Sequence, residues 1–360
     1  MAKTGTTFLQ RVLFQNQALL GSRGVLYPGG RRASHFHASM DLRDVGFKGH
    51  RYPEAEGAWQ RLAGAVNGHR GSAVVSHETL ARCNPEQIQR AVTSFEEAEV
   101  RVIVTARDLG RQIPAVWQER IKNRSGQAYE DFLDEVLSSK RGKDKRGDFW
   151  LPQWLPGLLE RWSAAVGPEQ VTVVTVPPSG GDPHELWRRF AAAAALPDAP
   201  YNLQTQGANT SLGIVGAELL RRMNADFVDL PWPRYESMVK RQFAEFTLGR
   251  ADDGPRITIP PDRQDEVAEI SERSIEEIQK LGVNVIGDLE DLRPRLDRSL
   301  SLGPVSSEAM LALASHVLAE SVIATDGPVG SASRSRLSKI RARLAVGERL
   351  RRTIGRVRRG

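Results

Sequence analysis

The sequence predicts an α/β fold in which a central parallel sheet is covered by helices on both faces. Four short apolar runs have the length of buried strands, and helical patterns lie between them. Continuous apolar strands that alternate with helices are typical of parallel sheets, because helices bury both faces of such a sheet. The four runs are residues 24–28, 72–77, 100–106 and 171–176.

The helical patterns are stripes of apolar residues that recur every three or four positions. The first follows residue 7 and is predicted to stop at Gly21. Beyond Asn209 we expect no further strand, so the C-terminal half is predicted to be a helical cap on the sheet. The other stripes lie within residues 88–95, 109–121, 155–162, 212–223 and 267–281.

Composition divides the chain into four predicted segments. They are an α/β domain with its helical cap at 1–303, a peripheral helix at 304–326, a Gly/Ser-rich linker at 327–335 and a basic amphipathic tail at 336–360. The net charge is +6, but residues 331–360 hold 11 Lys or Arg against one acid, which leaves −4 for the rest. The body is therefore mildly acidic, and specific nucleic-acid binding is not predicted.

Cysteine content and hydropathy favour a cytoplasmic protein. Cys83 is the only cysteine, which excludes an internal disulfide and suits a reducing compartment. The longest apolar run, residues 309–325, is too short and too polar to span a bilayer.

The predicted tail at 336–360 carries apolar residues on one helical face among arginines. This pattern is typical of a helix on the anionic inner membrane surface or one that steers a polyanion; a disordered tail or a partner-docking helix fits it as well.

The first residues, Lys3-Thr4-Gly5-Thr6-Thr7, have the pattern of an anion-binding loop that runs into a helix. Glycine allows the backbone to turn, so that successive N–H groups converge on one anion. The positive end of the helix, the threonine hydroxyls and the lysine add attraction. An ordinary helix N-terminus capped by threonine fits the same five residues. The Gly-x-x-x-x-Gly-Lys-Ser/Thr spacing of nucleoside triphosphatases is absent.

A second predicted anion site follows the strand at 100–106. Arg107 comes directly after this strand, and Arg111 lies near the start of the next helix. An arginine at the carboxyl end of a parallel strand points into the crevice where ligands bind, and its planar fork suits a phosphate. Two anion sites on neighbouring strand ends, without a predicted metal site, suit a nucleotide that carries phosphates at both ends of its ribose.

The loop, Arg107 and the stretch Ser76-His77-Glu78 together resemble the motifs of the sulfotransferases. These enzymes use 3′-phosphoadenosine 5′-phosphosulfate. Three later stretches narrow the resemblance to the actinobacterial type. It covers residues 2–293 and implies a P-loop-like three-layer sandwich. The stretches are Val171–Pro178, Ala208–Leu212 and Ile286–Leu292.

The resemblance implies a role for each matched position. Residues 3–7 would bind the 5′-phosphosulfate and Arg107 the 3′-phosphate, while Asn209 and Ser211 would approach the nucleotide. The family carries a serine eight residues after the arginine, where this chain has Ala115, so Arg111 or Gln112 is expected to compensate.

The implied reaction moves a sulfonate to a hydroxyl or amine of a carbohydrate, glycolipid or metabolite. Lys3 and the loop amides would neutralise the leaving phosphate, and the acceptor needs a base. Glu78 is the preferred base and His77 the second choice. Since adjacent strand residues face opposite ways, we do not expect both to act together. His35 and His37 would lie on one face of a strand and line the acceptor pocket; no metal site is predicted.

An anion-binding loop normally follows a buried central strand, and here that strand is apparently truncated. We therefore expect Met1 to be a misassigned start, preceded by about 8–15 residues of apolar strand. If Met1 is the true start, we expect a catalytically impaired scaffold that binds a nucleotide or docks on a membrane. The second alternative is a P-loop kinase. The loop lacks the glycine spacing of such enzymes, and no later strand ends in an acidic residue suited to binding magnesium, so this alternative is disfavoured.

Overall fold

The computed structural model describes residues 1–138, 149–205, 211–251, 254–297 and 303–325. It is an α/β structure with small parallel sheets. Five strands are present in the described residues: β1 Val25–Leu26, β2 Ser72–Ala73, β3 Val102–Ala106, β4 Val171–Thr175 and β5 Asn284–Ile286.

The strands form two parallel sheets rather than the single sheet predicted. One sheet pairs β1 with β2, with Val25 opposite Ser72. The other has the order β3-β4-β5, with Val102 opposite Val171 and Val173 opposite Val285. The expectation that strands end before residue 209 is wrong. β5 is only three residues long and mostly exposed, so its own apolar pattern is weak, and pairing with β4 supplies its hydrogen bonds.

The helices surround these sheets. They are α1 Thr6–Gln15, α2 Gln17–Ser22, α3 Ser34–Arg43, α4 Ala58–Asn67, α5 Pro85–Thr93, α6 Leu109–Lys122, α7 Tyr129–Ser138, α8 Trp150–Gln153, α9 Leu155–Val166, α10 Glu185–Ala193, α11 Ile214–Met223, α12 Trp232–Arg234, α13 Gly249–Ala251, α14 Gln264–Lys280 and α15 Ser307–Thr325. A π-helix, Tyr235–Leu248, lies between α12 and α13. Short 3₁₀ helices occur at Pro53–Ala55, Glu78–Arg82, Pro168–Gln170, Asn224–Phe227, Pro261–Arg263 and Leu289–Leu292.

Two apolar clusters cover the two faces of both sheets. One contains Val75, from the chain just after β2, together with Val102 of β3 and the buried side chain of Met1. The other contains Val74 and Ile103, which are the sequence neighbours of Val75 and Val102. Since neighbouring residues of a strand point to opposite faces, β2 and β3 share the same two layers. No described strand lies between them, and the N-terminal residues pack beside both.

The chain separates into two units, residues 1–310 and 311–360. The first holds the sheets and the helices α1 to α14. Helix α15 crosses the boundary, and the predicted linker at 327–335 and tail at 336–360 lie outside the described residues. In the part of the chain that the structure describes, no helix has the length and apolar character needed to cross a membrane.

Candidate functional site

The N-terminal loop has a conformation that few residues tolerate. Lys3 and Gly5 both have positive φ, 64° and 82°, and α1 begins directly after Gly5 without a side-chain cap. No described residue accepts a hydrogen bond from the main-chain N–H of Gly5, Thr6 or Thr7. These three donors and the positive end of α1 are therefore available to an anion, and anion binding by the loop stays a prediction.

Thr4 fastens the loop to β3 instead of offering its hydroxyl to a ligand. Its side chain is fully buried, and Thr4 Oγ1 lies 2.6 Å from Thr105 Oγ1. The same hydroxyl donates to the carbonyl oxygen of Met1 at 2.7 Å. Both of its contacts are therefore within the protein, and Thr4 as a whole has no exposed surface, so it supports the loop.

Lys3 does not point freely into solvent. Lys3 Nζ donates to Glu119 Oε2 at 2.5 Å, and Lys240 Nζ donates to Glu119 Oε1 at 2.7 Å. Lys240 comes from the π-helix and also donates to Asn123 Oδ1 at 2.8 Å. Burial alone would raise the pKa of Glu119, but the two ammonium groups hold it far below its ordinary value. The carboxylate therefore stays charged and joins α6, the loop and the π-helix.

Arg107 lies directly against the loop. Its Nη1 donates to the carbonyl oxygen of Lys3 at 3.3 Å, while its Nε is buried and has no partner among the described residues. Burial, together with the nearby Arg111 guanidinium, lowers the pKa of Arg107 to about 10. A cation in such surroundings favours an added negative charge. Arg107 also lines a cleft with Met1, Gln112, Trp150 and other residues.

The two residues expected to compensate for Ala115 are engaged elsewhere. Arg111 pairs with Asp108 and donates from Nη1 to the carbonyl oxygen of Pro177 at 3.1 Å. The Nε2 of Gln112 donates to Ala2 O at 3.1 Å and to Gln153 Oε1 at 2.6 Å. Arg111 thus ties α6 to the end of β4, and Gln112 supports the chain just before the loop.

His77 and Glu78 lie together, contrary to the expectation that they face opposite ways. His77 Nε2 is 4.0 Å from Glu78 Oε2, because Glu78 begins a 3₁₀ helix and does not continue the strand. Gln10 of α1 donates to Glu78 Oε2 at 3.1 Å. The pair is therefore connected to the helix that begins at the anion-binding loop.

The hydrogen bonds of His77 fix its tautomer. The main-chain N–H of Thr79 donates to His77 Nδ1 at 3.3 Å, and an N–H group can only donate. In the neutral imidazole, Nε2 then carries the proton and faces Glu78. Burial lowers the pKa of His77 despite the opposing effect of Glu78, so the ring is neutral near pH 7. Burial would raise the pKa of Glu78, but His77, a main-chain hydrogen bond and Gln10 lower it overall.

A group of aromatic rings from α3 and the following segment contacts His77 through Phe36. Phe36 lies 5.4 Å from the His77 ring and 5.4 Å from that of Tyr52, and His37 lies 5.3 Å from Tyr52. Phe36, His37 and Tyr52 are half-buried, so their rings form a partly accessible wall. Trp232 Nε1 donates to the Tyr52 hydroxyl at 2.9 Å, which places the start of the π-helix beside this wall.

The predicted strand for His35 and His37 is wrong, since both residues lie in α3. His35 is buried: its Nδ1 accepts from the N–H of Ser76 at 3.0 Å, and its Nε2 lies 2.7 Å from Pro28 O. It therefore connects the ends of β1 and β2 and does not face a ligand. Within the described residues, no cluster of three or more His, Cys, Asp or Glu side chains is arranged to hold a metal ion.

Of the two later residues, Ser211 is exposed and Asn209 lies outside the described residues. The N–H of Leu212, next to Ser211, donates to Gln118 Oε1 of α6 at 3.2 Å. This segment therefore runs along the helix that follows Arg107, but among the described residues no hydrogen bond or ion pair joins Ser211 to the loop.

Glu119, Lys240 and Gln10 belong to this site and were missed by sequence reasoning. Each is a polar residue on a helix, where such residues usually mark the solvent face, and only the tertiary fold brings them to the loop. Comparisons of the chain with protein-family models, with curated proteins and with solved structures find no match.

The loop conformation generates a stability prediction. In Gly5→Ala, the added Cβ would overlap Leu186 Cδ2 and the residue would keep a positive φ. We expect the free energy of unfolding to fall by about 1–3 kcal/mol. Gly21→Ala is the matched control: it lies within α2 with no atom near its Cβ, so a gain of about 0.5–1 kcal/mol is expected.

Urea unfolding of both variants measures these changes. An equal effect of the two substitutions would show that the backbone at Gly5 is not constrained as described.

Proposed function

We propose that this protein is a sulfotransferase that moves a sulfonate from 3′-phosphoadenosine 5′-phosphosulfate to a hydroxyl or amine of a carbohydrate, glycolipid or metabolite. In this reaction the bond between sulfur and the 5′-phosphate oxygen breaks and a bond from sulfur to the acceptor oxygen or nitrogen forms. The acceptor proton passes to a base, and the leaving phosphate takes the electron pair. A P-loop-like arrangement of loop, sheet and helix belongs to the same proposal.

The observation that carries the proposal is the contact between the loop and Arg107. A guanidinium, unpaired main-chain amides and Lys3 lie within one connected group of atoms. An anion at α1 and a second anion at Arg107 would therefore be close neighbours, as the two phosphate groups of one nucleotide are.

The geometry favours Glu78 as the base. The Nδ1 of His77 accepts from Thr79 and its Nε2 carries a proton, so the imidazole has no free position for another proton. Glu78 Oε2 lies 4.0 Å from His77 Nε2, and the lowered pKa of Glu78 keeps it ionised at neutral pH. The aromatic wall of Phe36 and Tyr52 suits an acceptor that presents a ring to the site, since sugar and aromatic rings both pack against aromatic faces.

The first prediction for this function concerns nucleotide binding. Arg107→Ala should weaken the affinity for adenosine 3′,5′-bisphosphate by about 10- to 100-fold, because it removes a charge-assisted phosphate contact. Arg101→Ala is the matched control: Arg101 precedes β3 at its other end and pairs at the surface with Glu99. We expect it to change the affinity by less than about twofold.

Isothermal titration calorimetry gives both values, with ATP and magnesium as the competing ligand. Tight binding of magnesium-ATP without binding of the bisphosphate would instead favour the kinase alternative. Binding of neither ligand by a folded chain would favour the scaffold.

The second prediction concerns the base. Glu78→Gln should lower the rate of labelled sulfonate transfer by about 10²–10⁴, because the acceptor proton then has no carboxylate to receive it. His77→Gln should cost about tenfold or less, since His77 only orients the carboxylate. The base must be unprotonated, and the pKa of Glu78 is lowered, so the wild-type rate should be level at neutral pH and fall only at acid pH, below the ordinary range of a glutamate pKa.

The reverse order of the two variants, with His77→Gln the slower enzyme, would assign the base to His77. Far-UV circular dichroism of each variant separates a loss of chemistry from a loss of fold.

A further inference from the structure

The carboxylate of Glu119 is shared by two lysines from different parts of the chain. Lys3 lies in the loop and Lys240 in the π-helix, and each donates to its own oxygen of Glu119. The side chains are 20%, 18% and 28% exposed for Lys3, Lys240 and Glu119, so water screens the pairs only in part. A carboxylate between two ammonium groups has the shape and charge of an oxyanion held by the same two lysines.

The surroundings of this carboxylate carry more positive than negative charge. Lys122 is almost completely buried, and burial lowers its pKa, with Lys3 and Lys240 acting in the same direction. Arg107 adds a further cation where it contacts the loop. Among the described residues, the cations are Lys3, Arg107, Arg111, Lys122 and Lys240, and the carboxylates that face them are Asp108, Glu119 and Glu245.

This partly buried group of side chains therefore has an excess of two positive charges over its negative charges. Such an excess is costly without a counter-ion, because a low-dielectric environment strengthens the repulsion between like charges. A group with two negative charges, such as a pyrophosphate segment or a phosphosulfate, would balance it. Solvent chloride could balance it only by two separate binding events.

We infer that Glu119 is an internal anion that competes with the ligand for Lys3, and that Lys240 is a second ligand-binding cation supplied by the π-helix. The inference rests on the proposed function only for the identity of the ligand; the site itself would take any phosphate- or sulfonate-bearing group of suitable charge. When that group binds, both lysines turn from Glu119 to its oxygens. Glu119 keeps the hydrogen bond from Asn123 Nδ2, at 3.2 Å, and remains close to Lys122.

The π-helix thereby connects the surroundings of the anion-binding loop with the aromatic wall near Glu78. Lys240 donates to the same carboxylate as Lys3 of the loop, while Glu236, one turn earlier, lies 3.4 Å from the hydroxyl of Tyr52. Binding of an anion that draws Lys240 toward the loop would act on the same helix that borders the acceptor wall. Glu119 is thus a positioning residue, and Lys240 contacts the ligand.

The test measures the affinity for inorganic pyrophosphate in the full chain. Glu119→Gln keeps the side-chain shape and removes the competing charge, so the dissociation constant should fall about tenfold. Lys240→Met should raise it about tenfold, and Lys240→Arg should restore most of the loss. The matched controls are Glu272→Gln, whose carboxylate pairs with Arg293 at the surface, and Lys280→Met, an exposed residue of α14. Both should leave the affinity unchanged.

The opposite signs expected for Glu119→Gln and Lys240→Met separate a ligand-linked role from a structural one, because loss of fold would weaken binding in both. Unchanged or weaker binding in a folded Glu119→Gln protein would overturn the inference. If that variant does not fold, unchanged binding in Lys240→Met would overturn it by itself. A second titration uses adenosine 3′,5′-bisphosphate. If the variants change the affinity for pyrophosphate as expected but the nucleotide does not bind, the anion site is supported and the sulfotransferase proposal fails.

Discussion

The candidate site depends on how the first residues are held against the end of β3. Thr4 and Thr105 share a buried hydroxyl–hydroxyl hydrogen bond, and Arg107 donates to the carbonyl of Lys3. Because these contacts use side chains of β3 and of the residue that follows it, the strand fixes both the loop and the guanidinium. This packing maintains the positive φ of Lys3, and its result is a loop in which the N–H groups of Gly5, Thr6 and Thr7 have no acceptor among the described residues.

The same arrangement concentrates positive charge, which opposes folding unless it is compensated. Glu119 compensates part of it by holding Lys3 and Lys240 together. If the charges of the site were completely balanced, the empty site would be more stable and its affinity for an anion would be low. The incomplete balance, together with the unpaired loop amides, distinguishes this group of side chains from an ordinary buried ion pair such as that of Arg189 and Asp291, which also bonds to Thr175.

The sequence predicted the features that depend on local pattern. The apolar runs placed β3 and β4 to within about two residues, and the helix stripes located α5, α6, α9, α11 and α14. The closeness of Arg107 to the loop could be anticipated, since carboxyl ends of parallel strands meet at one edge of a sheet. β5 was missed because its pairing partner, not its own three residues, stabilises it. Glu119 and Lys240 could not be found from the sequence, because 121 positions separate them along the chain and no periodicity relates a helix residue to a distant counter-ion.

The position of the site between the two sheets explains why its parts come from distant segments. His77 and Glu78 follow β2, Arg107 follows β3, and the chain from Met1 to Gly5 lies between these strand ends. α1 then leads from the loop to Gln10, which donates to Glu78. The loop therefore contacts the guanidinium directly and is joined to the Glu78 carboxylate through α1. In the proposed transfer, the base and the leaving phosphate must lie on opposite sides of the sulfur, because the attacking and leaving groups are in line. Because β2 and β3 share the same two layers, residues that follow both strands meet at one loop, and neither sheet alone could supply all of them.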